Sequence, residues 1–283
     1  MRLLLAPFLA GALLLVVVPA VATFAVAFTD WNLLEPASFA GVENFSTLLD
    51  DPILHRALLN SLVFLAVAVP LRLVAAVAAA LLLHRRARGR AAERSAVYLP
   101  TVIPEAALAL LFLFLLNPLY GPVNSALTGL GLPAVEWFTS AGGAMAAIVL
   151  ISVFTIGEGF IVALAARQEL PGELDDLARL EGARPGFRLR RVTLPLMRPT
   201  LLLLAGRDLA YALQLTFVPA LLVTGTGPDR ATLFVPGYVF ETAFEDLRYG
   251  YAAAVTLVLY AITLVVIAAE AQLLRRRRFG LGR

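Results

Sequence analysis

Three polar side chains recur within an apolar run of the sequence, and their chemistry suits a hydroxylated ligand. Ser152, Thr155 and Glu158 are spaced three residues apart, so on a continuous helix they would share one face. A carboxylate only accepts hydrogen bonds and can satisfy two donors, so Glu158 could bind hydroxyl groups. Alternatively, Glu158 could form an ion pair with Arg72 or Arg207, which lie in other apolar runs. The spacing leaves both interpretations open.

A second group of polar residues follows in a later apolar run. Tyr211, Gln214 and Thr216 are weaker candidates for the same polar surface. Polar side chains within apolar spans are costly in lipid, and for that reason they are candidates for function. We therefore predict that both groups line a substrate pathway.

Several kinds of chemistry are excluded by the residues that the chain lacks. It has no cysteine, and all 23 basic residues are arginine, so thiolate chemistry, a Schiff-base lysine and a lysine-containing phosphate loop are impossible. If ATP drives this protein, another polypeptide binds it. His55 and His84 are predicted on opposite sides of a membrane, and the Asp175–Asp176 pair has no second acidic cluster to complete a prenyl-transfer motif. We expect no catalytic residue, no metal and no cofactor bound by this chain.

The composition indicates a polytopic membrane protein. The chain has 283 residues, of which 60% are hydrophobic, and a mean hydropathy of +0.84, well above ordinary soluble domains. We predict an all-α helical bundle forming one transmembrane domain over residues 1–283. Six apolar blocks are each long enough to cross a bilayer, at residues 3–28, 61–83, 96–116, 143–166, 200–224 and 250–274. The first exceeds the core of a signal peptide, so we expect a retained span.

Charge predicts the orientation of these spans. The segment after the second span carries Arg85, Arg86, Arg88, Arg90 and Arg94, and seven arginines lie between residues 167 and 198. More arginines follow the last span, whereas the alternate segments are acidic. The positive-inside rule then places both termini and the arginine-rich segments in the cytoplasm. The arginine runs are explained by topology and secondary contact with anionic lipid, and we expect no nucleic-acid partner.

Residues 169–199 form the longest hydrophilic run between apolar blocks, and we call this segment the elbow. Pro171 can open a helix, and acidic residues follow in its first turn, where they complement the helix dipole. Gly182 can end that helix in a left-handed conformation, and Pro185 can start a second one. Apolar residues recur at 174, 177 and 178, a narrow stripe on a polar helix. The elbow is predicted to dock onto a partner, although a solvated connector is the simpler alternative.

The elbow resembles the "EAA" signature of permease subunits in binding-protein-dependent ABC importers of the maltose and glycerol-phosphate type. The matching residues are Leu170-Pro171, Asp176-Leu177-Ala178, Gly182-Ala183, Leu194-Pro195 and Pro199. Three positions depart from that pattern: Asp176 replaces Glu, Leu177 replaces Ala, and Glu181 replaces Asp. In that family the elbow inserts into a cleft of the ATP-hydrolysing subunit and passes its motion to the membrane helices. The resemblance implies ATPase coupling through Glu173, Asp176, Leu177, Ala178, Gly182, Ala183 and Pro185.

The external segments carry further resemblances to the same family. Residues 28–64, through the phrases FTDWNL, FAGVENF and LLDDPILHRALLNSLVF, are similar to its first external loop and the entry to its second helix. Residues 224–254 are similar to a phrase common in sugar permeases, through Thr224, Gly227-Pro228, Thr232, Tyr238, Ala243-Phe244, Tyr249-Gly250, Ala252 and Ala254. Thr226 stands where the family has a glycine. The likeness therefore extends over nearly the whole chain.

The resemblance implies half of an import pathway for a sugar, oligosaccharide or polyol in the cytoplasmic membrane of a bacterium. It also implies that the predicted polar residues of the fourth span line the sugar cavity. The expected partners are a second, related permease chain, forming a hetero-dimer, two ATP-binding subunits at the elbow, and an external binding protein. The alternatives are an ion-coupled secondary transporter and a membrane-embedded transferase that act without an ATPase.

Overall fold

The computed structural model describes residues 2–84, 89–214 and 216–278, with side chains from residue 5 to residue 272. The described residues are predominantly helical with very little strand, which confirms the predicted fold class. Within them, the single sheet pairs Thr29–Asp30 with Ser38–Phe39 in antiparallel fashion. Arg85, Arg86, Arg88 and Arg283, which carry part of the predicted orientation, lie outside the described residues.

Fifteen α-helices follow one another in the described ranges. They are α1 (Arg2–Ala12), α2 (Val18–Val26), α3 (Glu43–Asp50), α4 (Pro52–Leu83), α5 (Arg90–Tyr98), α6 (Glu105–Leu115), α7 (Pro122–Gly129), α8 (Ala141–Phe154), α9 (Gly157–Gln168), α10 (Gly172–Leu180), α11 (Pro185–Arg188), α12 (Leu194–Gln214), α13 (Phe217–Pro219), α14 (Val235–Phe240) and α15 (Tyr249–Arg278). Short 3₁₀ or π segments extend several of them, at Leu13–Val17, Leu99–Val102, Leu189–Thr193, Ala220–Thr224, Pro228–Arg230 and Glu241–Glu245.

Three helical segments are long and apolar enough to cross a membrane unbroken, namely Leu5–Val26, Pro52–Leu83 and Tyr249–Gln272. Three pairs of helices satisfy the same test only together, and each pair is bent. If each bent pair forms one span, the described ranges hold up to six spans, the number predicted from the sequence. The helix of the second span begins at Pro52, ahead of the predicted boundary at 61, because the apolar count misses its amphipathic first turns.

The bends occur where the sequence disfavours a continuous helix. Ile103 has extended backbone angles of φ −71° and ψ 130° because the ring of Pro104 excludes the α conformation from the preceding residue. The helices on either side of it meet at 102°. Between α8 and α9 the bend is 46°, and α9 restarts at Gly157. A Cβ there would lie 2.2 Å from Thr101 Oγ1, so glycine allows this break to pack against the end of the α5 segment.

The second span is the centre of the bundle, and α4 packs against α8, α9, α12 and α14. Small residues lie at its contacts: Ala68 and Ala80 of α4 and Ala163 of α9 have no exposed surface. A Cβ on Gly159 would be 3.5 Å from the Cβ of Ala76. Small residues let membrane helices approach closely. The first span differs, because none of its apolar window is buried within the chain.

The elbow folds as two helices, α10 and α11, as its proline and glycine residues predicted. Gly182 has φ +73°, and two hydrogen bonds close the end of α10, from Gly182 N–H to Arg179 O and from Ala183 N–H to Ala178 O, both 2.9 Å long. This pairing is a Schellman motif. Pro185 begins α11 as predicted, whereas Pro171 directly precedes α10 instead of being its first residue.

At the N-terminus of α4, the carboxylate of Asp51 connects three helices. Asp51 accepts hydrogen bonds from the backbone N–H groups of Ile53 and Leu54, which start α4. It also accepts the hydroxyls of Tyr238, on α14, and Tyr251, on α15. Burial by itself would raise the pKa of Asp51, but these hydrogen bonds outweigh it and hold the pKa below its ordinary value. Burial and the bond to Asp51 raise the pKa of Tyr238.

Candidate functional site

The broken helices surround a cavity of about 120 Å³. Its apolar wall comes chiefly from α4, α6 and α8. Its polar wall consists of Arg72, Thr101, Glu105, Ser152, Thr155, Glu158, Arg207, Tyr211 and Thr216. Five of the six residues predicted for the pathway therefore lie at one cavity. Gln214 is not among the lining residues.

A buried ion pair forms the back of this cavity. Arg72, from α4, and Asp208, from α12, meet at 3.3 Å between Nε and Oδ2, and their side chains are only 8% and 6% exposed. Arg72 also donates to Ser152 O, to Thr155 Oγ1 at 3.2 Å and to Thr155 O at 3.4 Å. Both carbonyls lie at the C-terminal end of α8, where the helix supplies few donors. Ser152 O also accepts from the Thr155 N–H and hydroxyl. Arg72 therefore joins the second, fourth and fifth spans.

The second ion pair faces the cavity. Glu158, in the first turn of α9, contacts Arg207 of α12, and their side chains are 51% and 39% exposed. Arg207 also lies 3.4 Å from Asp208. Arg72 and Arg207 were both considered as partners for Glu158. In the structure Glu158 pairs with Arg207, whereas Arg72 pairs with Asp208.

The predicted shared face of Ser152, Thr155 and Glu158 is wrong in one respect. The helix ends before Thr155, with backbone angles of φ −98° and ψ 39° there, so Glu158 belongs to the next helix. The three still line one cavity because the bend is only 46°. The Ser152 hydroxyl donates to Val149 O at 2.9 Å, and that of Thr155 donates to Ser152 O at 3.0 Å. Thr155 also accepts from Arg72, so both hydroxyls already have protein partners.

Tyr211 connects the arginines to a third carboxylate. Its hydroxyl donates to Glu105 Oε1 at 3.0 Å, and the guanidinium carbons of Arg72 and Arg207 each lie 5.9 Å from its ring centroid, within cation–π range. Glu105 begins α6, where a dipole role alone would explain an acidic residue. The only indication in the sequence that Glu105 lies at the cavity was that it is an ionisable group beside an apolar span. Asp208 carried the same signal.

The elbow presents the residues predicted for coupling at an open surface. Glu173, Asp176, Leu177, Gly182 and Pro185 are exposed, and Ala178 and Ala183 are partly exposed. Apolar side chains accompany them, with Leu177 and Phe187 each 58% exposed and Leu180 85% exposed. Monomeric proteins rarely leave contiguous apolar patches in water.

An ion pair connects the two elbow helices. Asp175 of α10 accepts from Arg179 at 2.8 Å and lies 3.4 Å from Arg188 of α11. The sequence analysis did not identify this connection. In the described ranges, no group of three or more histidine and carboxylate residues could hold a metal ion.

A helical membrane bundle with a charged cavity between broken spans, and an exposed elbow joined to those spans, is the architecture of a membrane transport protein. The model of a family described as "Binding-protein-dependent transport system inner membrane component" matches residues 72–279. The chain belongs to this family, which confirms the resemblance found in the sequence. It is therefore a multi-pass transport component of the inner membrane and not an enzyme.

Three relatives illustrate the similarity. The sulfoquinovosyl glycerol transport permease SmoG of Agrobacterium fabrum is 29% identical over 97% of this chain and 90% of its own length. The diacetylchitobiose uptake permease NgcF of Streptomyces coelicolor is 32% identical over 84% and 71%. The sn-glycerol-3-phosphate permease UgpA of Yersinia pestis is 31% identical over 82% and 79%.

A solved structure shares the fold. It is a chain of a bacterial ABC transporter that imports the acidic polysaccharide alginate, and it matches with a TM-score of 0.84 and 24% identity. The match covers 97% of this chain and 94% of that chain.

Proposed function

We propose that this chain forms half of the translocation pathway of an ATP-driven importer for a carbohydrate. The observation that carries this proposal is the direct connection between the elbow and the cavity. One helical segment runs from Pro185 in the elbow to Gln214, and it carries Arg207, Asp208 and Tyr211. At about 1.5 Å per residue, Arg207 lies roughly 33 Å along this segment from Pro185.

The other side of the elbow is connected to the same cavity. Helix α9 starts beside Glu158 and ends at Gln168, four residues before α10. The two helices that flank the elbow therefore hold the two partners of the Glu158–Arg207 ion pair. A displacement of the elbow would act on both walls of the cavity at once.

This connection supports a two-state mechanism. Two ATP-binding subunits, seated on the elbow through Leu177, Leu180 and Phe187, would move it when they close on ATP. The cavity would then open alternately to each side of the membrane. The two states would bind ATP with different affinities, and this difference would supply the free energy that shifts the equilibrium between them. ATP and Mg²⁺ would bind to the partner subunits and not to this chain.

The remaining partners follow from the family. A second, related permease chain would complete the pathway as a hetero-dimer, and an external binding protein would deliver the solute. Both termini and the elbow would face the cytoplasm of a bacterium. The named solutes of the relatives, with their sugar, disaccharide or polyol units, support a carbohydrate.

The solute would meet the groups that face the cavity. Glu158 and Glu105 can accept hydrogen bonds from sugar hydroxyls, and Arg207 and Tyr211 can donate. Ser152, Thr155 and Thr216 would shape the wall. We place Gln214 outside this contact set.

The proposal is tested by purifying the tagged chain from its own host in mild detergent and identifying the copurifying proteins by mass spectrometry. We expect a P-loop ATPase and a second permease chain, and a binding protein whose loaded form stimulates ATP hydrolysis. A chain that emerges alone, even after cross-linking at Leu177, contradicts the proposal and favours an ion-coupled carrier or a membrane transferase.

A further inference from the structure

The charges around the cavity do not balance. Arg72 is compensated by Asp208, with which it forms the buried pair at 3.3 Å. Arg207 is compensated by Glu158, which it contacts directly, and it also lies 3.4 Å from Asp208. Both arginines at the cavity therefore already have carboxylate partners.

The third carboxylate has no such counter-ion. Glu105 accepts the Tyr211 hydroxyl at 3.0 Å, and no ion pair to it is found within the described residues. Two guanidinium groups thus face three carboxylates, which leaves one negative charge on this half of the cavity. That charge attracts cations and repels anions that enter the cavity.

We infer, on the basis of the proposed function, that the solute reaching this cavity is an uncharged saccharide or one that carries an amine. A phosphate, sulfonate or carboxylate would find no free cation here. It would have to compete with Glu158 for Arg207, and the uncompensated charge of Glu105 would repel it. Hydroxyl groups can instead donate to Glu105 and Glu158 without breaking either ion pair. This selectivity separates the chain from relatives whose names specify an anionic solute, such as glycerol phosphate or sulfoquinovosyl glycerol.

The chain offers a direct test because it contains no cysteine. In the purified transporter, Ser152→Cys places a single reactive thiol of this chain at the cavity wall. Its modification is timed with two methanethiosulfonates of similar size, one bearing a trimethylammonium group and the other a sulfonate. Ser125→Cys, at an exposed position on α7, is the matched control. Labelling is read by mass spectrometry of this chain.

We expect the ratio of the cationic to the anionic rate to be roughly tenfold higher at 152 than at 125. One unit charge at a separation of roughly 6 Å, fully screened by water, would raise one rate and lower the other about threefold each. Glu105→Gln, made in the Ser152→Cys background, should bring the ratio close to the control. If Ser152→Cys does not assemble, Thr216→Cys, at another residue lining the cavity, replaces it.

A ratio at or below the control, or one that Glu105→Gln does not change, overturns the inference. Stimulation of ATP hydrolysis by a binding protein loaded with sn-glycerol 3-phosphate also overturns it. The labelling rates are measured on this chain whether or not an ATPase copurifies. The failure of the charge inference is therefore distinguishable from the failure of the proposed function.

Discussion

Replacing Asp208 with asparagine should destabilise the chain by about 3–5 kcal/mol, because it leaves a buried arginine without its counter-ion. The side chains of Arg72 and Asp208 are 8% and 6% exposed, so water cannot replace the lost carboxylate. Arg72 would keep its bonds to Ser152 O and Thr155, which satisfy its donors but not its charge. The lower end of that range is therefore expected.

The double variant Arg72→Met, Asp208→Leu should recover most of this loss. A buried ion pair and an apolar pair of similar volume are often close in stability, because the desolvation cost cancels much of the attraction. The two substitutions are in contact, so their effects should not add. The expected signature is a double variant more stable than either single variant.

The assay is thermal inactivation of the detergent-solubilised chain. Samples are heated, and the fraction that remains monodisperse is measured by fluorescence-detected size exclusion. Taking 2–4 °C per kcal/mol for a chain of this size, Asp208→Asn should lower the midpoint by on the order of 10 °C. Glu93→Gln is the control, because Glu93 pairs with Arg90 at an exposed position on α5, where an ion pair contributes about 0–1 kcal/mol.

Two results would refute this account of the buried pair. One is a midpoint for Asp208→Asn that lies within the range of the control. The other is a double variant as unstable as the sum of the two single variants predicts, which would mean that each side chain acts by itself.

Three further predictions concern the elbow, the cavity and the far end of α4. Gly182→Pro should abolish ATP-driven uptake without affecting membrane insertion, because φ is +73° there and proline requires about −65°. The control is Gly172→Ala, at a position with open space around it. Normal uptake by the proline variant would contradict the coupling role. Glu158→Ala should change the apparent solute affinity with little loss of protein yield, because its half-exposed ion pair contributes only about 0–1 kcal/mol to stability. A collapsed yield with unchanged affinity would assign Glu158 a structural role. Tyr238→Phe should lower thermal stability at pH 7 by removing a bond to Asp51. Because the folded-state pKa of Asp51 lies below its unfolded value of 3.8, the contribution is present above that value and is lost as the pH falls through the folded pKa; a gap between wild type and variant that closes well above pH 4 would contradict this assignment.

The sequence was most informative where structure depends on near neighbours. Gly182 and Pro185 predicted both the end of α10 and the start of α11, because left-handed backbone and a fixed φ are properties of single residues. The apolar runs predicted the helical class, because a bilayer of fixed thickness requires segments of about 20 residues. Helix boundaries were less accurate, as at Pro52, because hydropathy does not detect the polar first turns of a helix.

The ionisable residues at the cavity were visible as unusual groups in apolar spans, but their partners were not. Arg72 and Asp208 are 136 residues apart, and Tyr211 and Glu105 are 106 apart. Either Arg72 or Arg207 was an acceptable partner for Glu158 on sequence grounds. Local propensity does not determine such pairs, because they depend on how the helices pack.

The sequence by itself determined the membrane class, the two-helix elbow, the absence of lysine and cysteine chemistry, and the family to which the chain belongs. Each of these follows from residue types and short spacings, which operate within one or two helical turns. Only the tertiary structure decided which carboxylate compensates which arginine, and that Glu105 is left over at the cavity wall. The bends at Pro104 and Thr155 and the packing around α4 set those distances, and electrostatic pairing depends on distance in space and not on separation along the chain.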